Sequence, residues 1–481
     1  MPYVESFGTW PFGEEWLWEA ACGCYLPLLD LLDLLDSGDA PLTLSLTPVL
    51  CDQLAAPGLS ERFRRFIDET RRFTHAEDAR GLRAGDHPDL AAELERAWKA
   101  DYEHALERFA AHCDDLLGAF ARHVSWTSSA THAVLPLLAT DACTHLQVQA
   151  GIASHTARFD RAWRGGFWLP ECAHAPHLEP ILAAAGVRAT CVELTRRVGS
   201  GARENLRPLL SESGVVLFPI DRSLISLVWS DTGYPADDAY RDYHRHTVHH
   251  HNPWTNGGGC YDQELACARA SSHATDFVDR ALERLAREGA GLPGGGLAVC
   301  ALDTELLGHW WYEGLTWLKA LIRECAAKGL ELVRLDDAQE RFEPLPVSEL
   351  RLPSGDRAHP QPPWEWAQSP PSSWGRHNDL CTWSGPAVAE LAFAARAAEL
   401  QTLAAAVSGT AGPAAVRELL ALQASDWAFM VSRELAVPYA EERLAGHRAA
   451  LERALAEGPD ASVEGLRNLA ANADPAVLLR P

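Results

Sequence analysis

The chain has 481 residues, 47% of them hydrophobic and 22% charged, long enough for two or three domains and a large core. Its 66 Asp and Glu against 42 Lys and Arg give a formal charge of −24, with lysine only at Lys99, Lys319 and Lys328; such a field disfavours nucleic acid and favours neutral or cationic small partners. No run approaches the ~18 consecutive apolar residues of a membrane span, so no membrane partner is expected. The twelve scattered cysteines, without a Cys-x-x-Cys pair, make neither a disulfide framework nor a zinc or redox motif. With no basic, apolar leader at the amino end, the expected compartment is the reducing cytoplasm.

In chain order, a turn-like Gly8-Thr9-Trp10-Pro11 precedes a helix over 14–35, on which Trp16, Leu17, Tyr25, Leu28, Leu29, Leu32 and Leu35 recur at helical spacing; Ser37-Gly38-Asp39-Ala40-Pro41 ends it. Residues 42–46 alternate as a strand. Charge-rich helical periodicity, with Trp98, Tyr102, Leu106 and Phe109 on one stripe, marks a helical insertion at about 50–121. Strand-like runs recur at 166–169, 187–192, 215–219 and 297–302, separated by helical stretches such as 178–185, the alternation of parallel β/α units. Functional residues of such folds gather at the carboxyl ends of strands. The Pro-dense stretch 346–371, with Gln361-Pro362-Pro363-Trp364 and Ser369-Pro370-Pro371, reads as a linker between a catalytic domain at 1–345 and a helical carboxyl domain at 372–481. Helices are expected there over 387–407, 414–434 and 439–456.

Two strands end in a carboxylate among aromatics: Phe167-Trp168-Leu169-Pro170-Glu171-Cys172-Ala173-His174 and Ala301-Leu302-Asp303-Thr304-Glu305-Leu306-Leu307-Gly308-His309-Trp310-Trp311. A lone carboxylate after a strand caps a helix more often than it catalyses; here two coincide with tryptophans able to stack on a flat, hydroxylated ring. Burial beside aromatics raises one carboxyl pKa while an exposed neighbour stays ionised, which equips a pair to act as nucleophile and acid/base. Paired carboxylates are the machinery of glycosyl transfer.

Trp168-Leu169-Pro170-Glu171-Cys172 and Asp303-Thr304-Glu305-Leu306-Leu307-Gly308-His309-Trp310-Trp311 resemble the segments of glycoside hydrolase family 57, and within it of the 1,4-α-glucan branching enzymes, that hold the nucleophile and the acid/base Asp. Pro2-Tyr3-Val4, Trp10-Pro11-Phe12-Gly13-Glu14-Glu15-Trp16 and Thr131-His132-Ala133-Val134-Leu135-Pro136-Leu137-Leu138 match further family segments in order, so the resemblance covers nearly the whole chain. It implies an α/β fold, an incomplete (β/α)7 barrel with a helical insertion, followed by an α-helical carboxyl domain. It implies retaining transfer within α-1,4-glucan, forming α-1,6 branches through a covalent glycosyl-Glu171, with Asp303 as acid/base, a carboxyl separation of about 5–5.5 Å and no metal or other cofactor. The glucan site would include Trp16, His132, Trp168, Tyr234, His309, Trp310, Trp374, Trp383 and Trp427. Tyr234, in Trp229-Ser230-Asp231-Thr232-Gly233-Tyr234-Pro235, would cover the active site; Trp374, Trp383 and the Ser425-Asp426-Trp427 segment would help build the cleft. Without the resemblance, any one of these tryptophans reads as core. The nearest alternative is a 4-α-glucanotransferase or α-amylase of the same family; one from another class is a catalytically impaired glucan-binding protein. A metal-dependent deacetylase needs a His/Asp ligand set at strand ends, which the sequence does not offer.

Two regions depart from the family. Its branching enzymes carry a strand ending in His-x-His before the Pro-Tyr-Val stretch; Met1 stands where the residue after the second His falls, so the first barrel strand is expected to be missing, with a true start upstream as the preferred explanation. An absent strand leaves neighbouring edges unpaired. The stretch 243–262 also differs. Its His244, His246, His249, His250 and His251 invite a metal reading, but they lie in a polar, Gly-rich run without a spaced carboxylate, and a solvated loop is expected. Gly257-Gly258-Gly259 and Gly294-Gly295-Gly296 are expected to be turns.

Overall fold

The structure, a computed structural model, describes residues 2–4, 13–35, 41–159, 162–350, 365–462 and 468–480. The turn expected at 8–11, the helix end at 37–40 and the 361–364 part of the linker lie outside the described residues.

The strands are β1 (Leu44–Ser45), β2 (Val124–Ser128), β3 (Phe167–Trp168), β4 (Ala189–Val192), β5 (Leu209–Leu210), β6 (Val216–Pro219) and β7 (Leu345–Pro346). β1, β2 and β3 pair in parallel in that order, with Leu44 opposite Val124 and Thr127 opposite Phe167. A parallel bridge from Gly166 to Ala189 carries the run to β4, which pairs in parallel with β6, and a second from Ile220 to Val299 carries it to the segment before Asp303. β5 lies antiparallel on β6, and β7 parallel on β5. Helices Asp141–Arg158, Leu178–Ala184, Arg222–Val228 and Gln263–Glu288 fill the connections, the alternation that parallel pairing demands. The result is an incomplete α/β barrel.

β2 was not anticipated because its Val-Ser-Trp-Thr-Ser sequence hides polar groups that the fold satisfies: the Thr127 hydroxyl donates to the Gly151 carbonyl at 3.2 Å and the Ser128 hydroxyl to the Trp168 carbonyl at 2.8 Å. Conversely, 297–302 is not a full strand. Val299 bridges Ile220 on one flank, while Val299, Cys300 and Ala301 line a cavity of about 2090 Å³. The same cavity is lined by 42–46 and by Leu330, Glu331, Leu332 and Val333, so among the described residues the parallel run is open between these segments. They are joined at one end, where the Leu335 N–H donates to Thr43 Oγ1 at 2.8 Å.

The first long helix keeps its expected extent but not its regularity. Glu14–Ala20 and Leu26–Leu35 are α-helical, and Ala21–Tyr25 between them is a π turn. There Gly23 meets Gly308, whose φ is +111° and whose added Cβ would stand 2.1 Å from the Gly23 carbonyl oxygen; the contact requires a bare backbone. The insertion supplies helices Pro48–Leu54, Leu59–Arg65, Arg72–Ala84, Pro88–Ala97, His104–Ala111 and Leu116–Phe120, with π-helical segments at Phe66–Arg71 and Trp98–Glu103 between them; Phe63, Phe66, Tyr102 and Phe109 of this region join the core around Trp18, Tyr25 and Leu29.

The carboxyl region contains Ala389–Val407, Pro413–Leu422, Ser425–Ser432 and Val437–Glu457. Its Leu419, Leu420 and Leu422 share a core with Cys143, Leu146 and Ala150 of the barrel. The buried Asp52 and Arg158 pair at 2.5 Å, and Asp52 also accepts the Ala470 N–H at 2.7 Å. The helix expected over 414–434 breaks at Ala424, which leaves it to bridge Ala133 beside the site. No helix of the described residues is long and apolar enough to cross a membrane.

Candidate active site

Beyond β3 the chain turns through Pro170 into Glu171 (φ 60°, ψ 20°) and Cys172 (φ 48°), both in the left-handed region. Non-glycine residues held there cost about 1–3 kcal/mol each and persist only where neighbours fix them. The neighbours come from the carboxyl region: the Trp374 N–H donates to the Glu171 carbonyl at 3.2 Å, and His174 and Ser372 exchange two backbone hydrogen bonds at 2.9 Å. The Glu171 carboxylate is gripped at both oxygens. Oε2 accepts the Trp374 indole N–H at 3.0 Å, and Oε1 accepts the Ser425 hydroxyl at 2.9 Å.

His132 is a third left-handed residue (φ 59°), and its carbonyl accepts the Ser425 N–H at 3.2 Å. Its Nδ1 lies 2.9 Å from Ser425 Oγ and 3.7 Å from Glu171 Oε1. The one hydroxyl proton of Ser425 points at Glu171, so its oxygen accepts from His132 Nδ1–H. Burial pushes the imidazole below its usual range against the pull of the Glu171 charge, giving a neutral ring protonated on Nδ1.

Asp303 follows the open-sided segment 297–302. Burial first, then the facing charges of Glu171 and Glu305, hold its carboxyl well above the usual range, favouring the protonated form. The 303–311 turn is stiff: the Leu306 N–H donates to the Asp303 carbonyl at 3.2 Å and the Trp310 N–H to the Glu305 carbonyl at 3.1 Å. It is fastened to the first helix, where the Tyr25 hydroxyl donates to Glu305 Oε1 at 2.5 Å and Cys24 Sγ to the Thr304 carbonyl at 3.0 Å.

Glu171 and Asp303 line the large cavity together with Trp16, His132, Trp168, His309, Trp310, Trp374 and Trp383. Trp168 and Trp374 pack with centroids 4.9 Å apart beside Glu171. Two expected site residues lie elsewhere. Tyr234 is buried away from the cavity, its hydroxyl donating to Asp276 Oδ2 at 2.6 Å and its ring stacked on His273 at 4.4 Å; a partner for both ring and hydroxyl draws it under helix Gln263–Glu288 rather than over the site. Trp427 is 1% exposed and gives its indole N–H to the Ala421 carbonyl at 2.9 Å, so it is core. The residue of its segment that reaches the site is Ser425, which no pattern singles out, since helical periodicity reads through it.

The histidine loop needs a correction too. Its carboxylate is Asp78, distant in sequence, which pairs with His249 Nδ1 at 2.7 Å, and His251 is buried against His75 with centroids 3.6 Å apart. The loop is docked on helix Arg72–Ala84, not wholly solvated. Among the described residues, no group of three or more His, Cys, Asp or Glu could hold a metal ion.

Carboxylates beyond parallel strands, set in a cleft walled by tryptophan, are the equipment of an enzyme acting on carbohydrate. The sequence pattern of glycosyl hydrolase family 57 matches residues 126–351, and that of the 1,4-alpha-glucan branching enzyme carboxyl-terminal domain matches 389–472. A probable 1,4-alpha-glucan branching enzyme of Mycobacterium tuberculosis is 31% identical over 92% of this chain and 88% of its own length. A 1,4-alpha-glucan branching enzyme of Thermococcus kodakarensis is 30% identical over 93% and 70%. The crystal structure of a branching enzyme of this type from Pyrococcus horikoshii superposes with a TM-score of 0.83 at 27% identity, covering 99% of this chain and 94% of the other. The chain belongs to glycosyl hydrolase family 57.

Proposed function

We infer that the protein is a 1,4-α-glucan branching enzyme that acts by retaining transfer, with Glu171 as nucleophile and Asp303 as acid/base. In the first step a Glu171 carboxylate oxygen bonds to the anomeric carbon as the α-1,4 C–O bond breaks, and the Asp303 carboxyl gives its proton to the departing oxygen. In the second, the 6-hydroxyl of an acceptor glucan gives its proton to the Asp303 carboxylate while its oxygen takes the anomeric carbon from Glu171. Configuration is retained, and the new bond is an α-1,6 branch.

The observation that carries this assignment is the asymmetry of the two carboxyls in one cavity: Glu171 is held by two hydrogen-bond donors, whereas Asp303 is pushed well above its usual range by burial and then by Glu171. A pair so divided supplies one group to attack and one to protonate. Ser425, His132 and Trp374 orient the nucleophile; Trp16, Trp168, Trp383, His309 and Trp310 wall the glucan cleft. The catalytic domain is assigned to 1–345, the linker to 346–371 and the carboxyl domain to 372–481.

The test is incubation of the purified protein with amylose, followed by debranching and separation of the released chains. A ladder of short chains from the native protein, absent for Glu171→Ala and Asp303→Ala, is expected. Reducing sugar without new branches would move the protein to the hydrolases, and a changed distribution of linear chains to the 4-α-glucanotransferases.

A further inference from the structure

The loop 241–261 is fastened at its base and at its tip by different chemistry. At the base the Arg241 guanidinium donates to Glu93 at 2.8 Å and to the Asn252 carbonyl at 3.1 Å, and lies over the rings of Tyr261 and Tyr312, 4.3 Å and 3.9 Å from their centroids. None of these groups changes charge near neutral pH. The tip, 243–251, is fastened through histidine. It closes on itself, the Thr247 N–H donating to the His251 carbonyl and the His251 N–H to Thr247 Oγ1, both at 2.9 Å. It then docks on helix Arg72–Ala84, where Asp78 accepts the Thr247 hydroxyl, His249 Nδ1–H at 2.7 Å and the His249 N–H at 3.3 Å. Arg71 donates to the His249 carbonyl at 3.0 Å. The dock ends in two imidazoles, His75 and His251, stacked with centroids 3.6 Å apart and only 6% and 4% exposed.

This pair has no room for a proton. Thr74 gives its hydroxyl proton to the Arg71 carbonyl at 3.2 Å, so its oxygen accepts His251 Nε2–H at 3.2 Å and completes a neutral ring. The buried Arg71 guanidinium and Arg241 face the pair, as do His249 and His250, and His246 stacks on His250 at 4.4 Å. From the insertion, Trp98 and Tyr102 pack edge-on against His75, and the Leu94 carbonyl faces it. Two carboxylates oppose these cations, and both are engaged. Asp78 lies 3.9 Å from His251 Nε2 but serves Thr247 and His249, and Glu19 is paired with Arg71. Burial first, then Arg71, pushes His75 down to about 3; burial, then His75 and Arg71, pushes His251 down as well. A group neutral when docked and free to protonate when released holds the dock fully above the ordinary imidazole pKa of about 6.5. Below that pH, docking weakens by about tenfold per unit for each such group.

We propose that the tip 243–251 is a proton-operated flap, docked on helix Arg72–Ala84 while His75 and His251 are neutral and released as the medium turns acid, with Arg241 and Asn252 holding its base. Tyr243, His244, His246, His250 and His251 line the large cavity, and the Tyr243 ring faces His309 of the Asp303 turn at 6.1 Å. Release therefore removes one wall of the site while the barrel stays folded. The device is independent of the roles of Glu171 and Asp303.

The experiment is hydrogen exchange of the full chain between pH 8 and 5, read by mass spectrometry on peptides covering 243–251, with 141–158 as the reference helix and rates corrected for the intrinsic effect of pH. In native protein the opening constant of the tip is expected to rise by about fiftyfold to hundredfold between pH 7 and 5.5, as two imidazoles take up protons, while 141–158 stays protected. His75→Phe and His251→Phe, which keep a ring in the stack, are each expected to cut that rise to about tenfold. A native tip equally protected at pH 7 and 5.5 would overturn the flap whatever the variants do. So would tip and reference helix opening together, which is global unfolding, or a rise that both variants leave at its native size.

Discussion

The two segments that carry the carboxylates solve the same placement problem in opposite ways. Glu171 sits on strained backbone and is clasped from outside the barrel by residues more than two hundred positions away, Trp374 and Ser425. Asp303 sits on relaxed backbone (φ −62°, ψ 132°) and is governed by burial and by like charge. Strain with matched donors fixes where an attacking atom points; burial with repulsion fixes when a proton is held. The carboxyl region is therefore part of the support of Glu171, and the first helix, through Tyr25 and Glu305, part of the surroundings of Asp303.

That contrast can be broken at several points. Glu171→Ala should abolish branch formation, and Asp303→Asn should lower it about 10²- to 10⁴-fold, both read by chain-length profiles after debranching. Ser425→Ala removes one grip and the acceptor for His132 Nδ1–H; branching should fall about tenfold to a hundredfold, in line with the ~1–3 kcal/mol of an unsatisfied buried partner, with the unfolding midpoint nearly unchanged. Glu305→Gln removes one charge that raises Asp303, so the Asp303 pKa should drop. Because the acid must be protonated, the alkaline limb of the pH–rate profile should then move to lower pH, whereas Ser425→Ala should leave that limb in place. At the small end, Trp427→Phe should lower the unfolding midpoint while changing the rate little, whereas Trp374→Phe, which loses the indole N–H on Glu171, should do the reverse.

Much of this was legible in the sequence, and the failures share a cause. Both carboxylates stand out in the sequence because each follows an apolar run and has tryptophans beside it, a local signal. The parallel β/α character of the barrel was legible from strand-like runs alternating with helical stretches, but the strand order, with β2 between β1 and β3, was not. Ser425 could not be read, because its role depends on a helix break at Ala424 that only the bridge to Ala133 enforces. Trp427, two residues on from Ser425 along the same helix, faces the other way and is buried. Tyr234 was placed over the site, but helix Gln263–Glu288 offers it Asp276 and His273, a long-range pairing that periodicity does not report. The Asp78–His249 contact that docks the histidine loop is equally remote in sequence.

The central claim is that Glu171 bonds to the sugar while Asp303 only moves a proton. It is tested most directly by incubating Asp303→Asn with an activated maltosyl fluoride donor, quenching in acid, and sequencing the labelled peptide by mass spectrometry. A maltosyl adduct on Glu171 is the predicted result. An adduct on Glu305 or another carboxylate, or turnover with no adduct while native protein inverts the anomer, would contradict it.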